Sequence, residues 1–415
     1  MEREAIEARL RDLSHTEIAR IAAAALETDR DAVRVTDWQW EPLRSSLGIA
    51  TAGLYRLRGS AIPNADIKPS VSGDTSLPAR NWSAVLKVIR PPHGTRHDAH
   101  VREPSHWAYW KREPLFYTSD LVPEPAAQPH GLAAPRCLLV EELGISGQAD
   151  DSIWLWLQEL VDTHAGWWPP ERTLLAARHI GAFGGAFLNR PPTHSWLARR
   201  ALRQRIDRAP AELPLFQDDT LWQHPLLRPH FEPTVGAQLR TVWTRRWELV
   251  DRLDTLPRTL CHGDCHRGNL FAIEQTNGSA SHAKENTPGT AAIDWGAAGI
   301  GPLGADLAEL ALSRAIAGDL LAPGGAHFGA HLFASYLDGL RAATSVTDAE
   351  IAAARAGYAL TAALTGTSRL HWTLERTLDV TRRPEPDTPR PSDSETDDLL
   401  RRWAALTRMF LSLGA

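Results

Sequence analysis

Leu260-Cys261-His262-Gly263-Asp264-Cys265-His266-Arg267-Gly268-Asn269-Leu270-Phe271 is the stretch from which the fold of this chain is read. It follows the spacing H-x-D-x-x-x-x-N, and the apolar residues at its two ends suit short buried strands flanking a loop. After a polar insertion, Asn277 to Thr290, comes Ala292-Ile293-Asp294-Trp295-Gly296, an apolar strand ending in D-x-G. Transfer of a phosphoryl group needs a carboxylate to orient or deprotonate an acceptor hydroxyl. It also needs a second carboxylate and an amide oxygen to hold Mg²⁺ against a triphosphate. Asp264, Asp294 and Asn269 fit those roles in that order. A surface turn rich in Asp, Asn and Gly is the ordinary alternative, and the ordered arrival of Asp294 and then Asp306 argues against it.

Cys261, His262, Cys265 and His266 can also be drawn as a zinc cluster. A structural zinc site needs a second ligand pair from a distant segment, and Cys137 is the one cysteine left. The spacing is not C-x-x-C-H either, so covalent haem attachment does not fit. The plain expectation is that Cys261 packs in a strand and that Cys265 and His266 line the loop.

These segments resemble the aminoglycoside phosphotransferase and choline kinase-like superfamily, whose signature is H-G-D-x-x-x-x-N plus an apolar residue, then I-D-W/F. Gly301-Pro302-Leu303-Gly304-Ala305-Asp306-Leu307-Ala308 continues the likeness as G-x-x-x-x-D-L-A, where the resemblance makes Asp306 a brace for the catalytic loop. The likeness runs from about Leu47 to Asp306, with motif-grade matches at 262–269 and 293–306. Arg267 stands where the family often has proline. The resemblance implies an α+β, two-lobed protein-kinase-like fold with a small β-rich N-lobe and a larger, mostly helical C-lobe. It also implies ATP and Mg²⁺ as cofactors.

Lys87 sits in the apolar strand Val85-Leu86-Lys87-Val88-Ile89, and it is one of only four lysines among 45 basic residues. A buried ammonium needs an anion beside it. By resemblance this lysine holds the α- and β-phosphates and pairs with a helix glutamate: Glu113, or alternatively Glu103. A solvent-facing edge lysine is the ordinary reading of the same residue. Gly48-Ile49-Ala50-Thr51-Ala52-Gly53 could cover the phosphates, with Gly48, Thr51 and Gly53 as its contacts, or could be a plain hairpin turn. Leu54-Tyr55 follows it where a P-loop has Lys-Ser/Thr, which disfavours a P-loop NTPase. Glu141-Glu142-Leu143 is expected to be the hinge whose backbone pairs with a nucleobase, adenine or guanine alike.

Outward from these motifs, Ser14-His15-Thr16-Glu17 is a capping box that opens an N-terminal helix. Strands are expected from 32–35 onward and at 54–58, 82–89 and 137–140, with a Gly/Pro/Ser-rich loop over 59–80. Helices are expected over 104–120, after Asp150-Asp151, from Pro170 to Leu188, and from Thr347 past Leu370. The stretch 382–398, Pro-rich and acidic, reads as a loop. The expected division is a helical extension over 1–30, a nucleotide-binding lobe over 31–143 and a catalytic lobe over 144–415.

A length of 415 residues suits two lobes, and 43% hydrophobic with 23% charged residues is ordinary for a globular chain. A net charge of −5 argues against a broad basic surface for nucleic acid. No apolar run is long enough to span a membrane, the N-terminus has no signal-peptide pattern, and three cysteines make no disulfide framework. A cytoplasmic location is therefore expected. Asp306 follows Asp294 by only twelve positions, with no A-P-E triplet between them, so a peptide-docking activation segment is not expected.

The expected activity is transfer of the γ-phosphoryl group of ATP to a hydroxyl of a small molecule: a sugar, an amino alcohol or an antibiotic. A catalytically silent kinase-like nucleotide binder is the alternative. Sixteen tryptophans against nine Phe and five Tyr leave stacking on an acceptor open. Trp167, Trp168, Trp196, Trp222 and Trp372 lie in the α-rich part, although any one of them is more ordinarily a core residue.

Overall fold

The computed structural model describes residues 2–43, 48–64, 78–92, 100–123, 132–143, 152–277, 285–322, 325–378 and 392–413. The chain forms two compact units, Met1–Glu124 with Ala133–Val161 and Pro125–Leu132 with Asp162–Ala415.

The first unit holds α1 (Glu2–Arg11), α2 (His15–Ala25), β1 (Val33–Pro42), β2 (Thr51–Pro63), β3 (Arg80–Ile89) and α3 (Arg112–Tyr117). After β4 (Leu132–Ala133), at the division of the units, come β5 (Cys137–Leu143) and β6 (Ser152–Gln158). Five of these strands make one antiparallel sheet in the order β1-β2-β3-β6-β5. Alternation along β3 sends Leu86 and Val88 to one face and Lys87 to the other. The Leu86 face, with Leu57, Trp82, Trp154 and Trp156, packs on Ile6, Leu10, Ile18 and Ile21 of the two N-terminal helices. The expected N-terminal extension is therefore part of this unit's core. Its α2 starts at the expected capping box, Ser14 with Glu17. Arg20 of α2 also donates to the Glu141 carboxylate of β5.

Ser152–Gln158, expected to be helical, is instead the strand between β3 and β5. Its residues Ser152 to Leu157 are all buried, so the run SIWLWL has no polar alternation to separate strand from helix, and its β-branched and aromatic content fits a strand buried on both faces. This strand carries the first unit on to Val161, past the expected boundary at residue 143. Gly59 to Pro63 belong to β2 instead of a loop, because Ala61 and Ile62 pair with Val35 and Arg34. Residues 65–77 of that expected loop, 45–47 of the glycine stretch and Gly144 lie outside the described residues. Between 104 and 120 only Arg112–Tyr117 is helical.

The second unit is built on helices: α4 (Pro170–Phe187), α5 (Ala201–Arg208), α6 (Pro214–Gln217), α7 (Val235–Thr244) and α8 (Arg246–Asp254). Four short strands follow, β7 (Arg258–Cys261), β8 (Leu270–Asn277), β9 (Glu285–Ala292) and β10 (Gly299–Pro302). The rest is α9 (Ala305–Ala317), α10 (Phe328–Ala343), α11 (Asp348–Leu378) and α12 (Asp393–Ser412). Helices α4 and α10 pack closely because each gives up a side chain where they cross. A Cβ on Gly339 would lie 1.8 Å from the Arg178 carbonyl, and one on Gly181 2.0 Å from the Tyr336 carbonyl. The expected acidic loop is helical from Asp393, where Ser392 and Glu395 form a capping box; 379–391 lie outside the described residues. Among the described residues no helix is long and apolar enough to cross a membrane.

Candidate active site

Strand β7 delivers the H-x-D segment from a buried run, Thr259 to Cys261. The chain then turns at Gly263, whose φ is +80° and whose missing Cβ leaves room for the Ala297 carbonyl; a Cβ there would sit 2.3 Å from that oxygen. His262 is fully buried. Its Nδ1 accepts the Asp264 N–H at 3.3 Å, so the ring proton lies on Nε2 and is donated to the Ile293 carbonyl at 2.9 Å. One neutral imidazole thus bolts the Asp264 loop to the residue before Asp294, with the Trp295 ring 4.5 Å away.

The Asn269 amide nitrogen donates to the Asp264 carbonyl at 3.0 Å and to its Oδ2 at 3.2 Å. That commitment of the NH₂ group leaves the amide Oδ1 as the acceptor able to meet a cation. The Asn269 carbonyl in turn accepts the Ile293 N–H at 2.9 Å, so Asn269 and Asp294 are held one peptide apart across two loops. Asp294 adopts the left-handed region, φ 62° and ψ 60°, uncommon for a residue with a side chain and tolerated best by Asn and Asp. A carboxylate and an amide oxygen are hard donors of the kind Mg²⁺ prefers, so these residues fit that ion. Cys261 and Cys265 do not suit zinc: burial pushes both thiols well above their ordinary range, and both ring nitrogens of His262 are engaged.

Asp306, at the start of α9, accepts the N–H groups of His262 at 2.7 Å and Gly263 at 2.9 Å. Burial holds its carboxyl above the usual range, opposed by those two backbone bonds. The brace implied by resemblance is therefore present as geometry.

Sequence reasoning marked Arg267 only as a departure from the family. Its Nη1 donates to the Leu270 carbonyl at 2.7 Å and its Nη2 to Asp162 Oδ2 at 2.7 Å, while its guanidinium lies 4.1 Å from the Trp168 ring centre. Its backbone N–H donates to Ser313 Oγ at 3.1 Å. Asp162 and Ser313 carry no local motif, so nothing in the sequence announced them, and Trp168, marked only as a candidate for stacking on an acceptor, lies instead against the Arg267 guanidinium. Of the candidate stacking residues, Trp168 and Trp222 are core side chains, whereas Trp167 (67%) and Trp372 (39%) are exposed.

In the first unit Lys87 pairs with Glu113 at 2.6 Å, both side chains nearly buried. The alternative partner, Glu103, pairs instead with His100. Gly48 and Thr51 close a turn through Thr51 N–H to the Gly48 carbonyl at 3.0 Å, and β2 bulges between Thr51 and Gly53. The next residue, Leu54, lies opposite Lys87. Glu141 and Glu142 are not a connector. They pair with Trp154 and Ile153 inside β5, and Glu141 also accepts the Trp156 indole N–H. The segment that leaves the sheet starts after Gln158, because β6 intervenes.

A family model described as the phosphotransferase enzyme family matches residues 126–346. No curated protein matches the sequence. Similar solved structures include an amicoumacin kinase in complex with AMP-PNP, Ca²⁺ and Ami, 14% identical, covering 99% of this chain and 96% of that one, TM-score 0.49. A microcompartment-associated aminopropanol kinase is 13% identical over 95% of this chain and 97% of that one, TM-score 0.44. A thermostable mutant of an aminoglycoside phosphotransferase, with ADP and hygromycin B, is 12% identical over 92% and 95%, TM-score 0.38.

Proposed function

Because the chain belongs to the phosphotransferase enzyme family, whose model spans more than half of it, we propose that it moves the γ-phosphoryl group of ATP to a hydroxyl of a small molecule. The observation that carries this reading is the joint made by Asn269: its amide holds Asp264 while its carbonyl holds the residue before Asp294. One rigid unit thereby presents an acceptor-orienting carboxylate beside two oxygen donors.

In this mechanism Asp264 aligns the acceptor hydroxyl and takes its proton as the new O–P bond forms and the bond to ADP breaks. Asn269 and Asp294 are the residues to hold Mg²⁺, which when bound neutralises phosphate charge. Asp306 keeps the His262 and Gly263 amides fixed, so the loop need not reorganise during transfer. Lys87, held by Glu113, is the group assigned to the α- and β-phosphates. The backbone following Gln158 takes the nucleobase role first expected of Glu141 and Glu142.

The test has two stages. Millimolar MgATP should raise the melting temperature of the wild-type protein by mass action on the native state. ADP release should then respond to an acceptor in a panel of sugars, amino alcohols and antibiotics. A MgATP shift with no acceptor-dependent release across the panel favours a silent nucleotide binder. No shift at all, in folded protein, defeats both.

A further inference from the structure

We propose that Arg267 is a positioning residue for the metal site, acting through Asn269, and that Asp162 is the fixed post against which it works. The inference rests on the proposed function, since it concerns how the metal-holding amide is aimed.

Asn269 closes a single 3₁₀ turn, Arg267–Asn269. One such turn is a weak element, with poor hydrogen-bond geometry and little cooperativity. Gly268 in its middle adds conformational freedom that must be removed if the Asn269 side chain is to point one way. Asp264 fixes that side chain from one side only, through the amide nitrogen. The backbone of the turn needs its own restraint.

Arg267 supplies it from three directions. Its Nη1 bond to the Leu270 carbonyl spans the turn from first residue to exit, fixing where Asn269 sits between them. Its Nη2 bond ends on Asp162 Oδ2. Asp162 is itself immobilised, because Oδ1 accepts the N–H groups of Ala272 at 3.1 Å and His164 at 3.0 Å. Thr163 adds an N–H bond to the Ala272 carbonyl at 2.9 Å, so the segment after Asp162 is laced to β8. The planar guanidinium also stacks on the Trp168 ring, which no ammonium could reproduce. The side chain is largely buried, at 19% exposure, and its Asp162 partner is at 11%. An ion pair held in that setting keeps its geometry better than an exposed one.

The experiment measures ATP affinity with and without Mg²⁺ by calorimetry, in the full-length wild type and in Asp162→Asn, Arg267→Lys and Arg267→Ala. Asp162→Asn is the cleanest variant: its amide oxygen can still accept the Ala272 and His164 N–H groups, while its NH₂ faces the guanidinium and breaks the pair. The expected result is a loss of about tenfold in the Mg²⁺-dependent gain in affinity for Asp162→Asn and Arg267→Ala. Metal-free ATP affinity should stay within about twofold, and Arg267→Lys should not restore the gain. The Arg267→Ala, Asp162→Asn double variant should lose no more than either single one, since both cut the same tether.

An unchanged Mg²⁺-dependent gain in Asp162→Asn and Arg267→Lys overturns the proposal. Equal loss of metal-free and metal-dependent affinity does so too, because a merely structural residue would act that way. If Arg267→Ala does not fold, the other two variants decide. If wild type itself shows no Mg²⁺-dependent gain, it is the proposed function that falls.

Discussion

Asp264 gives Oδ2 to the Asn269 amide and keeps 36% of its side chain exposed, which suits a group that must meet a second molecule. Replacing it by Asn keeps the shape and removes the base, so Asp264→Asn should lower kcat on the order of a hundredfold or more. MgATP binding, measured by thermal shift, should survive, because the metal donors are other residues. Near-wild-type turnover would remove Asp264 from the mechanism. Asp294 carries a different signature: its left-handed backbone is tolerated by Asp yet suits glycine better. Asp294→Gly keeps that backbone conformation while removing the carboxylate, so it should still fold and lose the Mg²⁺-dependent thermal shift. A Mg²⁺-dependent shift as large as that of wild type would remove Asp294 from the metal site. These residues were legible in the sequence because Asp264 to Asn269 span one short loop, and Asp294 ends the strand pair that follows it. Arg267's partner Asp162 lies 105 residues away with no spacing rule to mark it.

At the scale of elements, β6 and the α4–α10 contact show what a linear pattern conveys and what it omits. The helix from Pro170 could be read because proline at a first turn and the Pro191-Pro192 stop are local signals. The strand Ser152–Gln158 could not, since a run buried on both faces has no period and only its neighbours in the sheet decide its state. The α4–α10 crossing depends on Gly339, and Gly339→Val should cost about 2–3 kcal/mol in urea unfolding, because the Arg178 carbonyl has nowhere to retreat. A variant that unfolds at the wild-type midpoint would mean that the helices can separate freely. On the other side of α4, burial and the Arg172 charge push His179 down to about 3, and burial pushes His371 of α11 down to about 4. Thr290 Oγ lies 2.8 Å from Arg172 Nη2 and 2.9 Å from His179 Nδ1, a geometry that suits a neutral ring accepting the hydroxyl proton. Both histidines stay neutral in the folded state while the unfolded chain protonates near 6.5, so their contribution is complete above that pH and is lost on acidification. Each should cost about 2 kcal/mol between pH 7.5 and pH 5. His371→Phe should flatten part of that dependence in urea titrations at the two pH values, and an unchanged slope would show that His371 is not held neutral.

For the whole molecule, the α+β organisation expected from the motifs is observed, and the helices before residue 30 prove integral to the first unit. Ile6, Leu10, Ile18 and Ile21 are almost fully buried. At about 1.5–3 kcal/mol per side chain they contribute an upper estimate of roughly 6–12 kcal/mol, as large as a typical domain's net stability. Deleting residues 1–26 should therefore yield protein that binds the dye ANS strongly and lacks a cooperative thermal transition. A truncated chain with a normal transition would show that the sheet stands without its cover. The pairing of Arg20 with Glu141 has a further consequence in time, because 121 positions separate the two. A ribosome adding about 5–20 residues per second releases the N-terminal helices roughly 6–24 s before the strand they seal. During that interval the apolar stripe of α2 meets only the part of its native surface that β1 to β3 supply, because β5 and β6 are not yet made. The birth of this protein thus contains an obligatory wait in which a holding chaperone has its natural point of entry.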